Sequence, residues 1–143
     1  MKAGSEMSPR TKVEIENNSH FLKEVSKDLI NTLRAQDVSE EVIFDVHVGF
    51  EEALRNAMIH GNKNSPEKKV RVETEVTEDE VVIVVEDEGE GFDFSKVPDP
   101  TQEENLLKES GRGVYLIKHL MDQVTYDLGG RRVTMKKAFS KRT

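Results

Sequence analysis

Three short stretches carry residue types that could do chemistry. In the first, Glu51-Glu52-Ala53-Leu54-Arg55-Asn56-Ala57-Met58-Ile59-His60-Gly61-Asn62, a carboxylate (Glu52) and a carboxamide (Asn56) stand four residues apart in a run with helical periodicity. At about 100° per residue, that spacing sets both polar heads on one side, one turn apart, within reach of one ligand. Ala53 and Ala57 beside them leave room for a close neighbour. A solvated helix face shows the same i, i+4 spacing. The second stretch, Glu86-Asp87-Glu88-Gly89-Glu90-Gly91, follows an apolar run and offers a fixed acceptor in a turn whose glycines let a ligand approach the backbone. An ionised Asp87 only accepts hydrogen bonds, so its natural small-molecule partner is an exocyclic amine such as that of adenine. Ordinary acidic loops and calcium sites share this composition, although the Asp-x-Gly-x-Gly spacing does not fit an EF-hand loop. The third, Ser110-Gly111-Arg112-Gly113, immediately precedes a helical pattern. Unpaired amides and a positive dipole end there suit phosphate; a flexible hinge beside a helix start reads the same way. No Gly-Lys-Ser/Thr follows, so this is not a Walker loop.

The elements that must position these stretches are legible from periodicity. Thr11 to Glu16 alternates polar and apolar residues, as a half-buried strand does. Asn17-Asn18-Ser19 supplies capping chemistry for a first helix, in which Phe21, Leu22, Val25, Leu29, Ile30 and Leu33 recur at helical spacing to about Ala35. Ser39 before Glu40-Glu41 caps a second helix with acids in its first turn. That helix is predicted to run from about Glu40 to His60, with Gly61 as its stop. Val70, Val72, Thr74 and Val76 alternate with charged residues, and Val81 to Val85 is continuously apolar, so the two are predicted to form an antiparallel hairpin with Val81 to Val85 as a central strand. Phe94 to Ser110 has no clear period and reads as a long loop. Gly113 to Met121 has the pattern of a third helix, and Val124 to Leu128, Gly129-Gly130 and Arg131 to Met135 form a closing hairpin. The fold class that follows is α/β (α+β): a two-layer α/β sandwich, its sheet mixed but mostly antiparallel, with three helices on one face. Residues 1–10 are expected to be a flexible arm and 11–143 a single domain.

Composition narrows the function. The chain has 143 residues, 35% hydrophobic and 34% charged, which suits one well-charged domain with a proper core. Its net charge of −7 disfavours nucleic acid as a direct partner, because phosphate-backbone binding needs a basic footprint. There is no cysteine, which excludes disulfides, thiolate metal sites and cysteine nucleophiles. His20, His47, His60 and His119 show no convergent metal spacing. No apolar run approaches the roughly 18 residues of a membrane span, so a cytoplasmic location without membrane contact is expected.

In order and spacing, Glu-x-x-x-Asn, Asp-x-Gly-x-Gly and Gly-x-Gly together resemble the GHKL, or Bergerat-fold, ATP-binding superfamily. The resemblance covers about Glu40 to Met135. The phrases Glu-Ala-Leu-Arg-Asn-Ala-Met-Ile-His-Gly-Asn and Gly-Arg-Gly-Val-Tyr-Leu-Ile-Lys look most like the bacterial anti-sigma factor serine/threonine-protein kinases. The resemblance implies ATP and Mg2+ as cofactors, Asn56 as the magnesium-holding residue, and Glu52 as the catalytic carboxylate that orients or deprotonates the attacking hydroxyl. It further implies Asp87 as the adenine-binding acid, Gly89 and Gly91 as allowing nucleotide approach, and Gly111 and Gly113 as lid glycines whose amides touch phosphate. The lid itself would be the segment from about Phe94 to Ser110. Arg112 would add positive charge at the terminal phosphate, and Asn62 and His60 would line the nucleotide pocket. The implied function is an anti-sigma regulatory factor with protein serine/threonine kinase activity, which phosphorylates an anti-sigma factor antagonist, binds a sigma factor in a partner switch, and forms a homodimer. Two other readings stay open. One is a nucleotide-gated binding module without kinase activity. The other is a detached histidine-kinase ATP-binding domain, for which His20 would be the phosphoacceptor, although only one helix of the required dimerisation hairpin is available.

Overall fold

The computed structural model describes residues 10–89 and 109–139, residues 109–114 for their backbone only. The chain runs β1 (Arg10–Glu16), α1 (Ser19–Ala35), α2 (Glu40–Arg55), a π-helical turn (Asn56–Gly61), β2 (Lys69–Val76), β3 (Glu80–Asp87), α3 (Glu109–Leu120), β4 (Gln123–Asp127), a short 3-10 turn (Leu128–Gly130) and β5 (Arg132–Ala138). The strands form one sheet in the order β1-β2-β3-β5-β4. Every pairing among the described residues is antiparallel, so the expected mixed character is not seen there.

Local chemistry sets the helix starts. Asn18 caps α1, its side chain accepting from the Phe21 amide, and Ser39 caps α2 by accepting from the Val42 amide; each side chain satisfies one of the otherwise unpaired first-turn donors. The buried residues Leu22, Leu29, Ile30 and Leu33 of α1 meet Val42, Val46, Phe50 and Leu54 of α2. The helices cover one side of the sheet, whose buried inward residues are Val70 and Val72 on β2, Val81, Ile83 and Val85 on β3, and Val133 and Met135 on β5; they alternate with polar residues on β2 and β5 and with the half-buried Val82 and Val84 on β3. The opposite side carries charged pairs, Arg71 with Glu86 and Lys12 with Glu73, around the half-buried Val82 and Val84 and the exposed Val13.

Two boundaries differ from the sequence expectation. The second helix does not continue as an α-helix to His60; it ends at Arg55 and loosens into the π turn, where the Asn62 amide donates five residues back to the Ala57 carbonyl. The wider turn accommodates Ala57 and Met58 in the core while Ile59 and His60 face out. The third helix begins at Glu109, so Gly111 and Gly113 lie inside its first turns and not ahead of it. Glycine inside a helix costs about 1 kcal/mol relative to alanine, a bias against helix that the packing of Ile117 and Met121 into the core overrides.

Candidate functional site

Asp87 is the last residue of β3, in phase with Val81, Ile83 and Val85, so strand alternation aims its carboxylate at the space between sheet and helices. It is 4% exposed. Burial pushes its carboxyl above the ordinary carboxylate range, against the opposing pull of the Gly89 amide, which donates to Oδ1 at 2.8 Å, and of the positive charge of Arg131.

Two glycines make room for that carboxylate. A Cβ on Gly61 would collide with the Asp87 carboxylate, and a Cβ on Gly89 would collide with the Gly61 carbonyl. The end of the π turn and the exit of β3 therefore touch backbone to backbone, a contact that any side chain would prevent. Gly61, read from sequence only as a helix stop, is part of the site's wall.

Asn56 opens the π turn. Its Nδ2 is buried and has no hydrogen-bond partner among the described residues. With Ala53 and Ala57 it lines the helix side of a narrow cleft. Val85 and Asp87 of β3, with Tyr126, Gly130, Arg131 and Val133 of the adjoining β4–β5 hairpin, line the sheet side. The structure thus brings Asn56 and Asp87 into one cavity, flanked by the two small alanines. Burial pushes the Tyr126 phenol up to about 12.

Glu52 does not line that cleft. Its carboxylate accepts from Arg55 Nη1 at 2.9 Å, while Arg55 Nη2 donates to Glu51 at 3.1 Å. Glu51 in turn pairs with His47 Nε2 at 2.9 Å. Burial alone would raise the Glu51 carboxyl, but His47 and Arg55 outweigh it and hold the group below its usual range. Asn62 is also outside the cleft lining. It is fully buried, its Nδ2 donates to the Lys69 carbonyl at 3.0 Å and to Asn17 Oδ1 at 3.3 Å, and its Oδ1 accepts from the Glu88 amide at 2.8 Å. These bonds clamp the end of the π turn to the start of β2 and the exit of β3, where a pocket-lining role was expected. His60 points to solvent.

Gly91, the Arg112 side chain and the expected lid segment before α3 lie outside the described residues. The hairpin wall of Tyr126, Gly130 and Arg131 was missed by sequence reading, which took Val124 to Met135 only as a closing hairpin turning at Gly129-Gly130. A signal was present: Arg131 is in phase with Val133 and Met135, the inward positions of the following strand.

Among the described residues no helix is long and apolar enough to cross a membrane, and no group of three or more His, Cys, Asp or Glu converges as a metal site.

Comparison with known proteins identifies relatives of the chain and of its fold. The family profile of the histidine kinase-like ATPase domain matches residues 15–137. The serine-protein kinase RsbW of Staphylococcus aureus (strain JH9) is 36% identical over 107 residues, 69% of this chain and 67% of its own length, and that of strain Newman matches to the same extent. The crystal structure of the RsbU and RsbW domains of Rv1364c from Mycobacterium tuberculosis shares the fold, with a TM-score of 0.63 over 92% of this chain at 15% identity; the present chain spans 31% of that longer one. With the profile covering most of its length and that level of identity to RsbW, this chain belongs to the histidine kinase-like (GHKL) ATPase family, among its anti-sigma factor serine/threonine-protein kinases.

Proposed function

We propose that this protein is an ATP-binding anti-sigma regulatory factor and protein serine/threonine kinase. Its substrate would be a serine or threonine of an anti-sigma factor antagonist, and it would bind a sigma factor in a partner switch, as a homodimer. The observation that carries the reading is the cleft between the π turn and the β4–β5 hairpin, where a buried acceptor, Asp87, and a buried amide without a partner among the described residues, Asn56, face one cavity.

The residues fit the roles chemically. Asp87 accepts from the exocyclic amine of adenine, and the Gly61–Gly89 contact leaves the base close to the backbone. Asn56 offers a neutral side-chain oxygen, the kind of ligand that suits Mg2+ when phosphates and water complete its shell. A magnesium ion held there would supply neutralisation of phosphate charge. The substrate hydroxyl oxygen bonds to the terminal phosphorus as the bond to the leaving ADP oxygen breaks, and Glu52 orients that hydroxyl and takes its proton. For this, Glu52 must turn from Arg55 toward the substrate. A half-exposed ion pair between residues three apart on one helix holds about 1 kcal/mol or less, so the turn is within reach of substrate binding.

The pairing of Glu52 with Arg55 off the cleft wall favours a second reading, a nucleotide-gated binding module that transfers no phosphate. One experiment separates the two: labelled ATP is incubated with the wild type, Glu52→Ala and Asn56→Ala in the presence of candidate antagonist proteins. Glu52→Ala should keep nucleotide affinity within a few fold and lower transfer by about 100-fold or more, the usual size of a general-base contribution. Asn56→Ala should weaken magnesium-dependent nucleotide binding in calorimetry. Unchanged transfer by Glu52→Ala would remove Glu52 from the mechanism, and a wild type that binds ATP but labels no antagonist would favour the binding module.

A further inference from the structure

Six arginines have described side chains, and five of them are matched to carboxylates: Arg10 to Glu75, Arg34 to Glu40, Arg55 to Glu51 and Glu52, Arg71 to Glu86, and Arg132 to Asp127. Arg131 is the exception among the described residues. Its Nε donates to the Leu128 carbonyl at 3.2 Å, which ties the guanidinium to the turn and leaves both terminal nitrogens to other work. In a chain with seven excess negative charges, an arginine without a carboxylate calls for a reason.

Its position supplies one. The Arg131 carbonyl accepts from the Asp87 amide at 2.9 Å, so the two residues are neighbours across the β3–β5 junction. Both side chains line the same cleft, yet they make no ion pair with each other. A carboxylate that only accepts and a guanidinium that only donates are thus presented side by side. The edge of adenine has the matching pattern, an amine that donates flanked by a ring nitrogen that accepts. Guanine offers an oxygen acceptor where adenine has its amine.

We propose that Arg131 is a nucleotide-contacting, base-specifying residue, whose guanidinium donates to the ring nitrogen flanking the adenine amine that Asp87 receives. This rests on the nucleotide reading of the cleft and adds a donor to it. A charge-assisted hydrogen bond at a partly exposed site should be worth about tenfold in affinity.

The test is calorimetry on the full chain with adenosine, ATP, 1-deazaadenosine and 7-deazaadenosine, for the wild type and Arg131→Met. Arg131→Met should lose about tenfold for adenosine and for ATP alike. In the wild type one deaza analogue should bind about tenfold more weakly than adenosine, and in Arg131→Met that difference should disappear. Loss for ATP alone would mean that the cation serves the phosphates, and would overturn the proposal, as would equal binding of adenosine and both analogues by the wild type. Melting of Arg131→Met checks that the hairpin still folds, and the analogue comparison on the wild type decides the matter if it does not. A wild type with no affinity for any of the four ligands would instead remove the nucleotide reading itself.

Discussion

Asp87 occupies a position where the alternation of β3 calls for another valine. Its folded-state carboxyl titrates above the ordinary value because burial disfavours the charge. For an acid whose folded pKa is raised, the folded state holds its proton more tightly than the unfolded chain. This contribution is therefore most favourable below the unfolded pKa, declines as pH rises through the window up to the folded pKa, and stays at its least favourable above it. Asp87→Asn removes that penalty and keeps an oxygen for the Gly89 amide. Without nucleotide, the variant should melt higher than the wild type at neutral pH, with the gap closing in acid, while losing adenine binding because its amide now presents a donor to the amine. A melting curve series over pH checks the first part. An Asp87→Asn protein that melts lower at neutral pH would show that the carboxylate is not the strained group described.

The π turn is the element that joins helix layer and sheet. It exists because Asn56, Ala57 and Met58 turn inward while the chain must still deliver Gly61 against β3, and the five-residue hydrogen bond from Asn62 to Ala57 widens the turn to allow both. Single π turns inside longer helices often mark functional sites. Asn62 locks the arrangement through the Lys69 carbonyl and the Glu88 amide. Asn62→Ala would leave these groups without their side-chain partner, and should cost about 2–4 kcal/mol in urea denaturation, since each stranded buried group costs about 1–3 kcal/mol. A loss below about 0.5 kcal/mol, the scatter expected of surface substitutions, would mean that water replaces the clamp.

Across the whole molecule, the cleft draws its walls from three parts of the chain that lie far apart in sequence: the end of α2 with its π turn, the end of β3, and the β4–β5 hairpin. A ligand bound there contacts all three at once and is lost when any of them unfolds, so binding should stabilise the fold as a unit. At a free ADP or ATP concentration 100 times Kd, mass action adds about 2.7 kcal/mol. Thermal melts should therefore rise by several degrees with nucleotide, in step with the logarithm of its concentration, and the rise should shrink in Asn56→Ala. A melting temperature indifferent to nucleotide would count against the cleft as the binding place.

Much of this protein is written locally. The caps at Asn18 and Ser39, the helical spacing of Leu22 to Leu33, the period of two in β2, the continuous apolar run of β3, and the Gly129-Gly130 turn all act over a few residues, and the structure places these elements as their patterns predict. Asp87 and Asn56 were each legible as polar groups beside apolar runs, and it was the resemblance to the GHKL superfamily, not local pattern, that implied one shared site for them. What local pattern could not decide was contact between distant segments. Glu52 shares its helix side with Asn56, but the fork of Arg55 holds it off the cleft; Asn62 belongs to the right turn but is consumed by Lys69 and Glu88; Gly61 has to be glycine because β3 arrives against it; and Arg131 reaches the site only because β5 inserts between β3 and β4. Periodicity and capping are short-range effects that a sequence exposes directly, whereas these assignments depend on which surfaces meet, and only the packed sheet and helix layer settles that.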